Sequence, residues 1–345
     1  MESIEKKLQE KKKLNINDIA KAAGVSISTV SRVINNSGLV NKNTRKKVQR
    51  IIDELNFTPN AIARSLVKKT SKTIGLMIPD ITNSYFIEFI KSVEDVMSKH
   101  KYFMLLCNTN QESKKEEYYI NEMLERRTDG LMIISTSITN KELLDKAKKS
   151  MHIVSIQADI DGVDRIDTTD EQGTSSVIEH LIELGHRKIA FIGLKYDISV
   201  LRNRFLGYKR TLEKHGIPIR DDYIIKTESF VNPGYSATLK LLGLEDRPTA
   251  IHCLNDSVAI GAYTALTENN IRVPEDISIS GFDNTITSKL ITPRLTTVAQ
   301  PITTMGEIAA KLLIQNITEG SHPVKQSILL PTKLIIRDST AAPKM

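Results

Sequence analysis

The chain has 345 residues, 40% hydrophobic and 26% charged, which excludes wholesale disorder and leads us to expect two or three domains. Lys and Arg number 48 against 41 Asp and Glu, a formal net charge of +7. Residues 1–72 hold 16 basic and 6 acidic side chains and the rest hold 32 and 35, so a basic head precedes a near-neutral body and a phosphate-bearing partner is favoured for the head. Residues 1–13 are charged and weakly patterned, and read as an N-terminal arm. They contain no apolar core of a secretion signal, and no stretch approaches the ~20 apolar residues that span a bilayer. A cytoplasmic protein is expected.

Order begins near Leu14. Asn17 reads as an N-cap, and Ile16, Ile19, Ala20 and Ala23 form one apolar face of a short helix that Gly24 stops. Ser26 caps a second helix, Ile27 to about Asn35. Its inner side carries Val30, Val33 and Ile34; its outer side carries Ser28, Ser31, Arg32 and Asn35. A third helix follows Asn43 or Thr44, with Val48, Ile51, Ile52 and Leu55 inward. Two short helices joined at a Gly and closed by a third make a helix-turn-helix. The hydroxyls, Arg and Asn of the second helix suit base edges in a major groove; a protein-binding bundle is the alternative. After Pro59 comes another short helical stretch in which Ala63 and Leu66 share a face.

From Lys72 onward short β-rich runs alternate with amphipathic helical ones. The strand-like runs include Ile74–Ile78, Tyr102–Cys107, Leu131–Ser135, His152–Ile156, Lys188–Gly193, Tyr223–Lys226, Ala250–Leu254 and Ile277–Ser280. Helical runs include Phe86–Lys99, Glu116–Arg126, Ser175–Leu184 and Val258–Asn269. This βαβ rhythm implies doubly wound parallel sheets, and too many strands for one of ordinary size. Two similar lobes with a cleft between them are expected. Cys107 and Cys253 lie in apolar runs and suit core positions rather than a disulfide or zinc site.

Ligands of such sheets sit beyond the carboxyl ends of the strands. The residues found there are Asn83, Tyr85, Phe86, Arg202, Arg204, Phe230, Asn255, Asp256 and Asp283. Carboxylate, Arg and Asn beside aromatic faces suit a polyhydroxylated or nitrogenous small molecule. Core packing is the alternative for Tyr85 and Phe86, and a surface position is preferred for Arg202. No GxxxxGK[ST], HExxH or GxSxG motif occurs, and no cofactor or metal is expected.

The stretch "INDIAKAAGVSISTVSRVINN" with "TRKKVQRIIDELNFTPNAIARSLVKKTSKTIGLMIPD" resembles the lactose/galactose repressor family of transcription regulators. The likeness runs on through "HLIELGHRKIAFIG", "RPTAIHCLNDSVAIGAYTAL", "RVPEDISISGFDN" and "PRLTTVAQP". It implies a small all-α helix-turn-helix domain followed by an α/β, two-lobed, periplasmic-binding-protein-like domain. The expected boundaries are an arm at 1–13, the DNA-binding domain at 14–57, a hinge helix and linker at 58–71 and the effector domain at 72–345. Within the last, one lobe takes about 72–169 and 300–328 and the other about 170–299 and 329–340.

The resemblance places Ile27, Ser28 and Arg32 on bases of an operator. Ile27 could equally be core. Asn17, Ser26, Thr29, Ser31 and Asn35 are expected around the same DNA, with Asn17, Thr29 and Asn35 as phosphate anchors. Asn60, Ala63 and Leu66 belong to the hinge, where Leu66 wedges into the minor groove; a linker helix with Leu66 packed on a neighbour is the other reading. Asn83, Tyr85, Phe86, Arg204, Phe230, Asn255 and Asp283 are the implied effector contacts. Gln157 stands where many sugar-binding members carry Asp. The expected protein is a repressor that binds a near-palindromic operator as a homodimer, controlled by a sugar-like effector, and is not an enzyme. Apolar positions between Phe86 and Met97 should supply some of the dimer interface. The alternative is a catabolite-control-type regulator whose co-regulator is a phosphorylated carrier protein.

Overall fold

A computed structural model describes residues 14–58, 70–136, 138–195, 198–320 and 324–344. They fall into two compact units divided between Ser71 and Lys72. The arm at 1–13 and the hinge positions Asn60, Ala63 and Leu66 lie outside the described residues.

The first unit contains α1 (Ile16–Ala23), α2 (Ile27–Ile34) and α3 (Lys42–Glu54). Asn15, not Asn17, caps α1. Its Oδ1 accepts from the N–H groups of Asn17 and Asp18, and Asp18 returns a carboxylate oxygen to the Asn15 N–H at 2.9 Å. The reciprocal cap needs an acidic residue three places on; Asn15 has Asp18, whereas Asn17 would have Ala20. Asn17 is an exposed residue of the first turn. Gly24 ends α1 at φ 62°, in the left-handed region open to glycine. Ser26 caps α2 through the Thr29 N–H. Helix α3 begins at Lys42 on the cap Asn41, earlier than the sequence suggests, because Asn41 Oδ1 already accepts the Asn43 N–H. Ile19, Ala20, Ala23, Val30, Val33, Val48 and Ile51 form the core with Phe57, which the helical periodicity does not reach.

The second unit is two lobes. Its first lobe runs β1 (Thr73–Ile78), α4 (Ser84–Lys99), β2 (Phe103–Asn108), α5 (Ser113–Glu125), β3 (Gly130–Ile134), α6 (Lys141–Ser150), β4 (His152–Ile156) and β5 (Asp164–Thr168). The chain crosses to the second lobe for α7 (Asp170–Glu183), β6 (Ile189–Leu194), α8 (Ser199–Lys214), β7 (Ile224–Thr227), α9 (Val231–Leu242), β8 (Ala250–Cys253), α10 (Asp256–Glu268), β9 (Ser278–Asp283), α11 (Ile286–Leu290) and β10 (Thr296–Ala299). It returns for α12 (Ile302–Glu319) and β11 (Ser327–Leu330), then crosses a third time to β12 (Lys333–Ile335). This last crossing follows Leu330, slightly beyond the 328 expected.

The sheets run β11-β5-β4-β3-β1-β2 and β12-β10-β9-β8-β6-β7. All pairings are parallel except β10 with β12. Strands β5, β10, β11 and β12 and helices α6, α8, α9, α11 and α12 are absent from the sequence reading. Helix α12 closes the first lobe against α4, where Gly306 approaches so closely that a Cβ would stand 1.8 Å from Ser92 Oγ. Cys107 and Cys253 are buried and free. Among the described residues no helix is long and apolar enough to cross a membrane, and no group of His, Cys, Asp and Glu is placed to hold a metal ion.

Candidate nucleic-acid interface and ligand cleft

On the first unit, the face of α2 turned from that unit's core is polar and carries exposed Ser28 and Arg32. Ser26 Oγ meets Ser28 Oγ at 2.8 Å and Thr29 Oγ1 at 2.9 Å, which orders the hydroxyls at the helix start. Ile27 is 50% exposed, so it is not core. Asn35 turns back on α2, donating to Ser31 O at 2.9 Å and Ser31 Oγ at 3.3 Å. Arg32 is exposed and its guanidinium makes no hydrogen bond or ion pair among the described residues. Its stem runs along Gly38, where a Cβ would lie 3.4 Å from Arg32 Cδ. Lys42, Lys46, Lys47 and Arg50 are exposed along α3. Such a surface offers an uncommitted guanidinium among small hydroxyls, flanked by cations that meet phosphates irrespective of sequence.

On the second unit, a cleft between the lobes encloses about 520 Å³, counting its open mouth. Residues beyond nearly every parallel strand line it. Asp80 follows β1, Gln111 follows β2, Ser135 follows β3 and Gln157 follows β4; Ser229 and Phe230 follow β7, Asn255 follows β8, Asp283 ends β9 and Gln300 follows β10. The seven residues Asn83, Tyr85, Phe86, Arg204, Phe230, Asn255 and Asp283 all line this one space. Arg202 is exposed and Asp256 is buried beneath the cleft, bonded to Thr285 and Thr297.

Local capping positions several of these groups. Asn83 caps α4 through the Tyr85 N–H, which sets Tyr85 and Phe86 in the first turn with their rings edge to face, centroids 4.9 Å apart. Asn255 caps α10 through the Val258 N–H and donates to Ser229 O at 3.3 Å. Arg204 is 5% exposed. Its Nε donates to Asp170 at 2.9 Å and its Nη1 to Leu254 O at 2.9 Å, Nη1 also standing 3.5 Å from Asp283. The guanidinium lies over the Phe282 ring at 3.7 Å.

A hydrogen-bonded chain ties the lobes together at the crossings. Tyr85 Oη donates to Gln157 Oε1 at 3.0 Å, and Gln157 Nε2 donates to Thr168 Oγ1 and Gln300 Oε1, both at 2.8 Å. Gln300 Nε2 donates to Asp283 at 2.6 Å, and Thr168 Oγ1 donates to Asp170 at 2.9 Å. Gln157 is thus committed at both ends of its amide, and its backbone holds φ 51°.

Burial pushes the Asp283 carboxyl up to about 7, against the pull of Arg204. Burial raises Asp170 likewise and holds the Tyr85 phenol well above its ordinary value. Burial also works against the charge on Arg204, but Asp170 and Asp283 overcome it and keep the guanidinium charged. Two residues that line the cleft, Gln111 and Ser229, each carry a buried polar atom, Oε1 and Oγ, with no hydrogen-bond partner among the described residues. Each such orphan costs about 1–3 kcal/mol unless something fills it.

Asp170, Thr168 and Gln300 carry much of this network, yet sequence reasoning missed them. Thr168 ends β5, Asp170 follows it and Gln300 follows β10, strands with no apolar signal in the sequence, so the rule that found Asn255 would have found these too.

Residues 15–60 match the family described as bacterial regulatory proteins, lacI family, and residues 178–340 match the periplasmic binding protein-like domain. The chain is 36% identical to catabolite control protein A of Priestia megaterium over 333 residues, 95% of this chain and 99% of that one. Among solved structures it is similar to the lac repressor dimer bound to operator and the anti-inducer ONPF, at 28% identity and a TM-score of 0.83 over 96% of this chain and 100% of that one. It is also similar to a LacI family transcriptional regulator from Enterococcus faecium with bound ribose, at 33% identity and a TM-score of 0.72 over 79% of this chain and 100% of that one.

Proposed function

The chain belongs to the lacI family of bacterial regulatory proteins, and from that premise we propose that Arg32 reads an operator while a small effector in the cleft sets the affinity for it. The protein is a DNA-binding transcription regulator and not an enzyme. The observation that carries the proposal is the outward face of α2, where an exposed guanidinium stands without a partner among the described residues, beside ordered hydroxyls. A bidentate Arg–guanine contact contributes roughly 1–3 kcal/mol of discrimination. Ile27, exposed at the start of α2, suits a thymine methyl. Ser26, Ser28, Thr29, Ser31, Asn17 and Asn35 complete the contact surface.

The protein acts in the cytoplasm as a repressor and binds a near-palindromic operator as a homodimer, since a two-fold protein needs two-fold DNA. Asn60, Ala63 and Leu66, outside the described residues, are assigned to a hinge that kinks the operator centre. The first lobe supports dimerisation with Ile87 of α4 and with Phe103 and Leu106 of the edge strand β2, which are 54%, 66% and 37% exposed. Between Phe86 and Met97 the other apolar side chains are buried or half-buried, so Ile87 is the main contribution of that stretch.

Asn83, Tyr85, Phe86, Arg204, Phe230, Asn255 and Asp283 are assigned to the effector, a sugar or sugar derivative. An effector shifts the DNA-binding equilibrium only by its differential affinity for the two lobe arrangements, typically 1–3 kcal/mol. Likeness to a catabolite control protein favours a second reading, in which a phosphorylated carrier protein is the co-regulator. Competition between operator and random duplexes tests the DNA half: Arg32→Ala should lose the preference for operator, and a preserved preference would remove Arg32 from base reading. Stabilisation by the carrier protein, with no response to any small molecule, would favour the second reading.

A further inference from the structure

The charges around the cleft select among ligands. Arg204 is the one cationic side chain lining it among the described residues, and its hydrogen bonds and ring contact engage it with Asp170, Asp283, Leu254 O and the face of Phe282. Asp80 and Asp283 line the same space, and Asp170 stands behind Arg204. The site therefore sets three buried carboxyl groups against a single guanidinium whose charge Asp170 and Asp283 already match. An anion entering it would leave water and meet no uncommitted cation. Among the described residues, the buried side-chain polar atoms of the cleft lining that lack partners are uncharged: the Gln111 amide oxygen, which can only accept, and the Ser229 hydroxyl.

We propose that the effector is an uncharged ring molecule whose hydroxyl or N–H groups meet Gln111 Oε1 and Ser229 Oγ, and that its phosphorylated or carboxylated counterparts are refused. This rests on the reading of the cleft as the effector site. The refusal is electrostatic: an anion would meet an acidic excess with no cation left to pair it, which discriminates against a wrong ligand even where its shape fits. The edge-to-face pair of Tyr85 and Phe86 supplies the apolar surface on which a ring lies. Gln157 adds neither charge nor a free amide, because Tyr85, Thr168 and Gln300 hold it at both ends.

Calorimetric titration of the full-length protein with matched pairs tests the proposal. Suitable pairs are D-ribose and D-ribose 5-phosphate, D-glucose and D-glucose 6-phosphate, and adenosine and adenosine monophosphate, extended by a thermal-shift screen of neutral and anionic metabolites. In every pair that binds, the uncharged member should bind at least 100-fold more tightly; a phosphorylated member that binds equally well or better overturns the proposal. Asp80→Asn and, separately, Asp283→Asn should reduce that ratio at least tenfold in the better tolerated variant. An unchanged ratio in a folded variant assigns the refusal to shape and also overturns it. Silence from the whole neutral and anionic panel fails the effector reading itself, a different outcome from binding of the wrong charge class.

Discussion

Asp283 holds a position at which protonation, the neighbouring guanidinium and the lobe crossing meet. Its folded-state pKa, about 7, stands above the ~3.9 of an exposed Asp. The folded protein therefore binds this proton more tightly than the unfolded chain does. The resulting stability is complete below ~4 and is lost as pH rises through about 7. Asp283→Asn stays neutral and still offers an oxygen to Gln300, so thermal melts of the ligand-free variant should fall less between pH ~5 and ~8 than those of the parent. A parallel pair of curves would show that the carboxyl titrates normally. Asp256, which burial also raises, remains in both proteins and keeps the variant's curve from being flat. Single residues also mark the limit of pattern reading. Asn17 and Asn15 are both Asn next to an apolar run, and only the pairing with Asp18 separates them. Asn15→Ala should speed amide exchange in α1 about fivefold, a loss of about 1 kcal/mol, while Asn17→Ala should leave exchange there unchanged.

Elements were legible where the buried positions are apolar and illegible where they are polar or small. Strand β4, HIVSI, is an apolar run bounded by polar residues and its limits are the same in sequence and structure. Strand β5, DRIDT, buries Asp164, Ile166 and Thr168 and carries two Asp and one Arg, so no apolar signal betrays it. What holds it is pairing with β4 and β11 and the bonds that Asp164 takes from Asn316 and the Gln326 N–H, partners more than 150 residues away. The same holds for the cleft. Asn83, Asn255 and Asp283 follow strands that could be read, whereas Gln300 and Asp170 depend on strands that could not. Helix α9 escaped notice because its contact with α10 is made by small residues: a Cβ on Gly234 would stand 2.4 Å from Val258 O, and one on Gly261 would stand 2.0 Å from Val231 O. Backbone cannot yield as a side-chain tip can, so Gly261→Ala should force the two helices apart and lower the free energy of unfolding, read from denaturant melts, by about 1–3 kcal/mol. Gly216→Ala, with nothing within 4 Å of the added methyl, serves as a control for packing, though its φ of 64° still carries local strain.

At the scale of the whole molecule the basic charge belongs to the first unit and the ligand chemistry to the second. An effector present at 100 times its Kd should stabilise the second unit by about 2.7 kcal/mol, seen as a rise of several degrees in its thermal transition. No rise for a compound that releases DNA would place its binding elsewhere. The second unit is itself sewn from two lobes by three crossings, and the order of those crossings governs how it can be made. Helix α12 and strand β11 complete the first lobe but are encoded after β10 of the second. As the chain leaves the ribosome, the first lobe is without the helix that covers Phe89, Val93 and Met97 from residue 170 until residue 302 and beyond. At ~5–20 residues per second that interval lasts roughly 7–25 s. The nascent first lobe thus waits, with one sheet edge unpaired and one helix face bare, for a segment synthesised only after the second lobe's β10, and through that interval its apolar surface is open to wrong partners.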